Sequence, residues 1–188
     1  MKRMALFVVL AAALSGTALA QTPPANPPMA LTSTAFPDGG VIPDQYTGNN
    51  PSNPGSFALS WQNAPPATVS FTLIMHDVDT LPRATGPDNL HWMLINIPAT
   101  AHGLAEHVPQ AATLADGTIQ PVTQKGRAIG FLPPGAGPGP YHHYVIELYA
   151  LDTKLNADPA TIPVRADILG QMEGHVIAKA AYVGRFHK

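Results

Sequence analysis

The chain has no cysteine among its 188 residues, which rules out disulfides, thiolate nucleophiles and cysteine-held metal centres. Charge is scarce. Only 12% of residues are Asp, Glu, Lys or Arg, about half of the roughly 25% in an average globular protein. A disordered acidic or basic tail is excluded on that ground, because 45% of the chain is hydrophobic. The 10 basic residues do not outnumber the 12 acidic ones, so bulk electrostatics offers nucleic acid no attraction. With 21 prolines and 16 glycines spread along the chain, long helices are unfavourable and an all-β or loop-rich domain is expected. Catalytic signatures are missing as well: there is no HExxH, no CxxC, and no serine in a G-x-S-x-G elbow.

What is present begins with a secretory pattern. Lys2 and Arg3 precede an apolar run over Leu6–Leu14, and Ala18-Leu19-Ala20 forms a small-x-small cleavage site. The apolar run falls short of the roughly 18–20 residues that span a bilayer. Residues 1–20 are therefore expected to be a cleaved signal peptide, and the protein to be periplasmic or secreted, with no stable membrane insertion after cleavage near Ala20. Without Lys2 and Arg3 the rest of the chain carries 8 basic and 12 acidic residues, a net charge of −4. Residues 21–30, with four prolines in Gln21–Met29, read as an extended lead-in to one domain over 31–188. At that size a core can stabilise the fold without disulfides.

The segment Phe36–Ser56 is dense in Gly, Pro, Asn and Asp and reads as turns around at most one short edge strand. Strands are predicted at Phe57–Trp61, Val69–Asp77, His91–Ile97, Tyr144–Leu151 and Ala178–Phe186. One helix is predicted, Arg165–Gly174, with Ile168, Leu169 and Met172 on one side. Apolar residues on both faces of Val69–Asp77 and Tyr144–Leu151 place these two strands centrally. The expected architecture is mainly β: an antiparallel β-sandwich with a central sheet and a peripheral helix late in the chain.

Strand alternation marks a candidate site. Asp77 is in phase with Phe71, Leu73 and Met75; His91 with Met93, Ile95 and Ile97; His142 with Tyr144, Ile146 and Leu148. An ionisable residue thus ends each apolar face. With matched strand ends, Asp77, His91, His142 and Tyr144 would meet at one mouth of the sandwich, where partly buried ionisable groups need partners. The plainer reading is that such histidines are structural and that Asp77 caps the turn into Val78-Asp79. Other histidines are assigned no role. His102, His107 and His187 belong to surface or loop, His175 to the helix end with its dipole, and His143 to the outer face beside Glu147. Trp61 and Trp92 read as packing residues.

Three stretches match a known family in order and spacing: His76-Asp77-Val78-Asp79-Thr80-Leu81-Pro82, His91-Trp92 with Asn96-Ile97-Pro98, and Pro133-Pro134-Gly135 running to His142-His143-Tyr144. Together they resemble the phosphatidylethanolamine-binding protein family, in its bacterial Raf-kinase-inhibitor-like (YbhB/YbcL-type) branch. The resemblance extends from about Phe36 to Arg185 and takes in Ala58-Leu59-Ser60-Trp61, Tyr149-Ala150-Leu151 and Gly184-Arg185. It implies a β-sandwich with an anion pocket at one end of the sheet, taking phosphate-like groups and phospholipid head groups without a cofactor. The resemblance places Asp77, His91, Pro134, His142 and Tyr144 in that pocket. Departures lie in the rim: Val78 stands where the family has proline, one residue is inserted before Pro82, His143 replaces an arginine, and Thr47–Ser56 departs from the usual loop.

The expected function is non-catalytic binding of a small phosphorylated or anionic ligand. Imidazole N–H groups of His91 and His142 and the Tyr144 hydroxyl would donate to phosphoryl oxygens, with Asp77 orienting a histidine. Such binding should weaken as pH rises through the histidine range, near 6.5 if unperturbed. Two alternatives stand beside it: a protein-interaction module inhibiting a kinase- or protease-class partner through its Pro/Gly loops, and a metal-dependent hydrolase. Whether two copies form a homodimer is left open.

Overall fold

The computed structural model describes residues 27–52, 55–80, 88–123, 128–158 and 165–188. The expected signal peptide and its cleavage site, and the Leu81-Pro82 end of the first motif, lie outside them. Among the described residues there are ten strands. In chain order they are β1 (Ala30–Thr32), β2 (Gly40–Val41), β3 (Leu59–Gln62), β4 (Ser70–Asp77), β5 (Asn89–Pro98), β6 (Gly103–Leu104), β7 (Val122–Thr123), β8 (Ala128–Ile129), β9 (His142–Leu151) and β10 (Val176–Phe186). An α-helix, α1 (Arg165–Met172), precedes the closing strand, and a 3-10 turn covers Asp44–Tyr46.

A five-stranded sheet runs in the order β2-β10-β9-β4-β5, antiparallel except for the short β2 at its edge. As the apolar patterns predict, β4 and β9 are interior, and β4 is buried at every position. The three-stranded sheet β1-β3-β6 faces it. The two enclose a core that includes Leu31, Leu59, Trp61, Phe71, Leu73, Met75, Trp92, Tyr144, Ile146 and Leu148. Glycine is required where β10 passes this core. A Cβ at Gly184 would lie 2.6 Å from Ile42 and 2.9 Å from Phe36.

Helix α1 covers part of the opposite face of the large sheet. A second cluster forms there from Ile74, Met93, Ile95, Leu151, Leu155, Ile168 and Met172. Leu169, expected on the buried side of the helix, is exposed instead, since only Ile168 and Met172, four residues apart, point down. The short strands β1, β6, β7 and β8 carry too few residues for an alternation signal.

Strand β5 breaks the predicted phase twice. His76 pairs with Leu90 and Met75 with Trp92, which leaves His91 as the extra residue of a bulge. Further on, Phe71 pairs with Ile97 and Leu73 with Leu94, so a second residue is inserted near Asn96. Asn96 adopts φ 59°, and its amide exchanges two hydrogen bonds with the backbone of Leu155, at 2.8 and 2.9 Å. Consequently Met93 and Ile95 pack under the helix while Ile97 packs in the sandwich; the single face expected for His91, Met93, Ile95 and Ile97 does not exist.

Candidate ligand-binding site

The ends of β4 and β9 lie side by side, with Asp77 opposite Tyr144. The Asp77 carboxylate accepts twice: the His142 Nδ1–H donates to Oδ2 at 2.7 Å, and the backbone N–H of Asp79 donates to Oδ1 at 3.0 Å. The turn-cap and histidine-orienting roles of Asp77 are therefore both present. Donation from Nδ1 leaves His142 Nε2 uncommitted by that bond, and its side chain is 31% exposed against 5% for Asp77. The pair is a buried carboxylate that orients an accessible imidazole.

Behind it lies Tyr144, fully buried, with no acceptor for its hydroxyl proton and only the backbone of Ala136 and Gly135 near its oxygen. Burial first, and then the Asp77 carboxylate, push its pKa up to about 12, against an opposing pull from the backbone of Ala136 and Gly135. The group is a protonated donor without an acceptor, an arrangement that costs stability unless something else fills the role. The 132–140 loop supplies the wall. Pro134 is buried, has no N–H to compete for an anion, and its carbonyl accepts from the Gly48 N–H at 2.8 Å.

The bulge turns His91 inward, so that its ring meets Tyr144 edge-on at 5.0 Å. Its Nδ1–H donates to the Leu132 carbonyl at 2.9 Å, and its Nε2 accepts from the Asn89 amide at 3.0 Å. Burial lowers its pKa, outweighing the Leu132 carbonyl and Asp77, which raise it. The ring is therefore neutral with both nitrogens engaged. Its one N–H is thus committed to the Leu132 carbonyl, whereas the sequence reading expects it to donate to a phosphoryl oxygen. Asn89 joins the site with little to announce it. The only trace in the sequence is its position two residues before His91, on the same face of an undistorted strand.

The remaining histidines find other partners. His143 donates from Nδ1 to Asp79 at 2.9 Å on the exposed surface, and so does not pair with Glu147. Glu147 binds Lys179 at 2.5 Å and faces His76 at 3.4 Å. The His175 ring bonds Asp152 at 2.8 Å, while its backbone N–H closes the helix end on the Met172 carbonyl. Trp61 and Trp92 are core residues, Trp92 donating to Gln120 at 2.9 Å. Among the described residues, no three His, Asp or Glu side chains are grouped so as to hold a metal ion.

The fold is a β-sandwich whose large sheet ends in an oriented imidazole beside a buried tyrosine hydroxyl. Residues 32–187 match the family described as Phosphatidylethanolamine-binding protein, and the chain belongs to that family. Its relatives include a UPF0098 protein of Methanothermobacter thermautotrophicus, 38% identical over 162 residues, covering 85% of this chain and 99% of the relative. The Escherichia coli protein YbcL is 32% identical over 129 residues, covering 65% of this chain and 63% of its own length. A crystal structure of a phosphatidylethanolamine-binding protein homolog from Chlamydia trachomatis superposes with a TM-score of 0.73 at 30% identity, covering 86% of this chain and 98% of that one. The crystal structure of YbcL shares the fold with a TM-score of 0.70 at 24% identity, covering 85% and 98%.

Proposed function

We propose that this protein binds a small phosphorylated or anionic ligand of the phospholipid head-group kind at the end of the β4–β9 pair, without turning it over. The observation that carries this reading is the buried, unpartnered Tyr144 hydroxyl beside the Asp77-oriented His142. A phosphoryl oxygen would accept from both Tyr144 and His142 once His142 is protonated. Asp77 holds the ring in place by taking its Nδ1–H, which leaves Nε2 for the anion. His91 and Pro134 shape the pocket and leave its donors to Tyr144, His142 and the nearby backbone of Gly135 and Ala136. The reading includes export, on the strength of the N-terminal charge, apolar run and Ala18-Leu19-Ala20 pattern. Among the described residues no helix is long and apolar enough to cross a membrane.

Calorimetric titration of residues 21–188 with phosphorylethanolamine at pH 6 and pH 8 tests the pocket. Binding should be tighter at pH 6 than at pH 8, as expected where imidazole groups receive an anion, and should disappear in His142→Ala. No heat at either pH from the folded protein would refute head-group binding.

A further inference from the structure

Directly behind the pocket, on the other face of the same two strands, lies a second polar cluster that ligand binding does not use. His76, the neighbour of Asp77, is buried, and its Nδ1 meets Asp88 Oδ2 at 2.5 Å. The other Asp88 oxygen accepts from Nη1 of Arg165, the first residue of α1, whose Nη2 lies 3.4 Å from His76 Nδ1. The Asp88 side chain is only 12% exposed. Three elements are thus tied at one carboxylate: β4 through His76, α1 through Arg165, and the chain entering β5.

The residues just after Asp88 form the part of the pocket that the sheet itself holds least. Asn89 pairs with Asp77 and Leu90 with His76, whereas His91 has no partner in the β4–β5 ladder. Its place depends on the Leu132 backbone, which takes its Nδ1–H and donates to its carbonyl at 2.7 Å, and on the Asn89 amide at Nε2. Successive residues point to opposite faces, so a carboxylate clamped on the outer face sets the angle at which Asn89 presents its amide on the inner one. We propose that Asp88 and Arg165 are positioning residues for the pocket, acting through Asn89 to hold the His91 ring in a single orientation and tautomer. Only the expected change in affinity rests on the anion-pocket reading; the effect on His91 does not.

The test uses nitrogen-15 spectra of the imidazole groups in the ligand-free protein, together with phosphorylethanolamine titrations. Wild type should show His91 as the Nδ1–H tautomer. Asp88→Ala should mix the two neutral tautomers and weaken binding roughly five- to tenfold, the scale of one lost positioning hydrogen bond. Asp88→Asn keeps an oxygen for Arg165 and should restore most of both. Lys179→Gln, which disturbs the same outer face away from Asp88, should leave the His91 signals unchanged. If Asp88→Ala does not fold, Arg165→Gln takes its place, with the same direction and a smaller effect. A folded variant of either kind with the wild-type His91 tautomer overturns the proposal. Failure of wild type to bind phosphorylethanolamine would instead sink the anion reading, and the spectra would still decide the role of Asp88.

Discussion

Residues 76 and 77 are adjacent on one strand and meet opposite fates. On the outer face, His76 faces Asp88 and Glu147, and these carboxylates also take Arg165 and Lys179. On the inner face, Asp77 is satisfied by His142 and the Asp79 backbone, yet the cluster still ends in an exposed imidazole nitrogen and an unpartnered tyrosine hydroxyl. Both faces bury charge beside a histidine. The outer cluster pairs its carboxylates with cations from α1 and β10, and its orphan nitrogens, His76 Nε2 and Arg165 Nε, belong to residues already in those pairs. The inner one instead ends in a partly accessible imidazole beside a tyrosine hydroxyl with no acceptor. Buried polar groups normally find partners within the protein, so the face where an orphan hydroxyl stands beside a partly accessible imidazole is the one on which to look for a ligand.

The contrast is tested most severely at Tyr144 and His142. Tyr144→Phe should weaken phosphorylethanolamine binding about tenfold or more by calorimetry while leaving the melting temperature unchanged or slightly raised, because the lost hydroxyl had no partner. A large loss of stability would show that the hydroxyl is structural and erase the distinction between the faces.

Next in size is the acid response of the outer face. His76 first, then Lys179 and Tyr149, hold the Glu147 carboxyl down to about 2, against an ordinary value of 4.5. Its folded pKa is depressed, so this stabilisation is fully present above about pH 4.5 and is lost as pH falls toward 2. Urea unfolding of Glu147→Gln should show a shallower loss of stability across that window than wild type, and lower stability at pH 7. Equal slopes would mean that the outer pairs contribute nothing.

A smaller effect of the same physical kind is expected at His91. Burial lowers its folded pKa below 6.5, so below that pH the unfolded chain takes up a proton that the folded one does not. Stability should fall as pH drops from about 6.5 toward the folded value and then level off. His91→Gln should flatten that slope below about pH 6.5 in urea melts. The smallest change is expected for the exposed His143–Asp79 pair. Asp79→Asn should alter stability by no more than about 0.5 kcal/mol and leave ligand binding near wild type.

Much of this was legible from residue order alone. Apolar runs without alternation marked β4 and β9 as interior strands, and the ionisable residues ending them marked the mouth where Asp77, His142 and Tyr144 meet. The same rule failed on β5. A single inserted residue reverses the face of everything beyond it, and nothing in Asn89-Leu90-His91-Trp92 announces an insertion. His91 reached the pocket because of the bulge, and the two-residue relation that would have tied Asn89 to it was hidden by the same irregularity. Glu147 illustrates a different limit. Its neighbour on the face of its own strand was His143, but Lys179 from β10 and His76 from β4 flank it across the ladder.

Composition and periodicity by themselves determined a β-rich chain without cysteine, its two central strands, its late helix and three of the residues at its open end. These depend on local chemistry: proline and glycine break helices, and side chains on a strand alternate. Tertiary structure alone decided which histidine has both ring nitrogens engaged within the protein and which has only one. That choice rests on a bulge, a loop carbonyl from Leu132 and a clamp between Asp88 and Arg165, contacts between residues 41 and 77 positions apart. No local pattern encodes them, because each exists only once the sheet has brought distant backbone into hydrogen-bonding range.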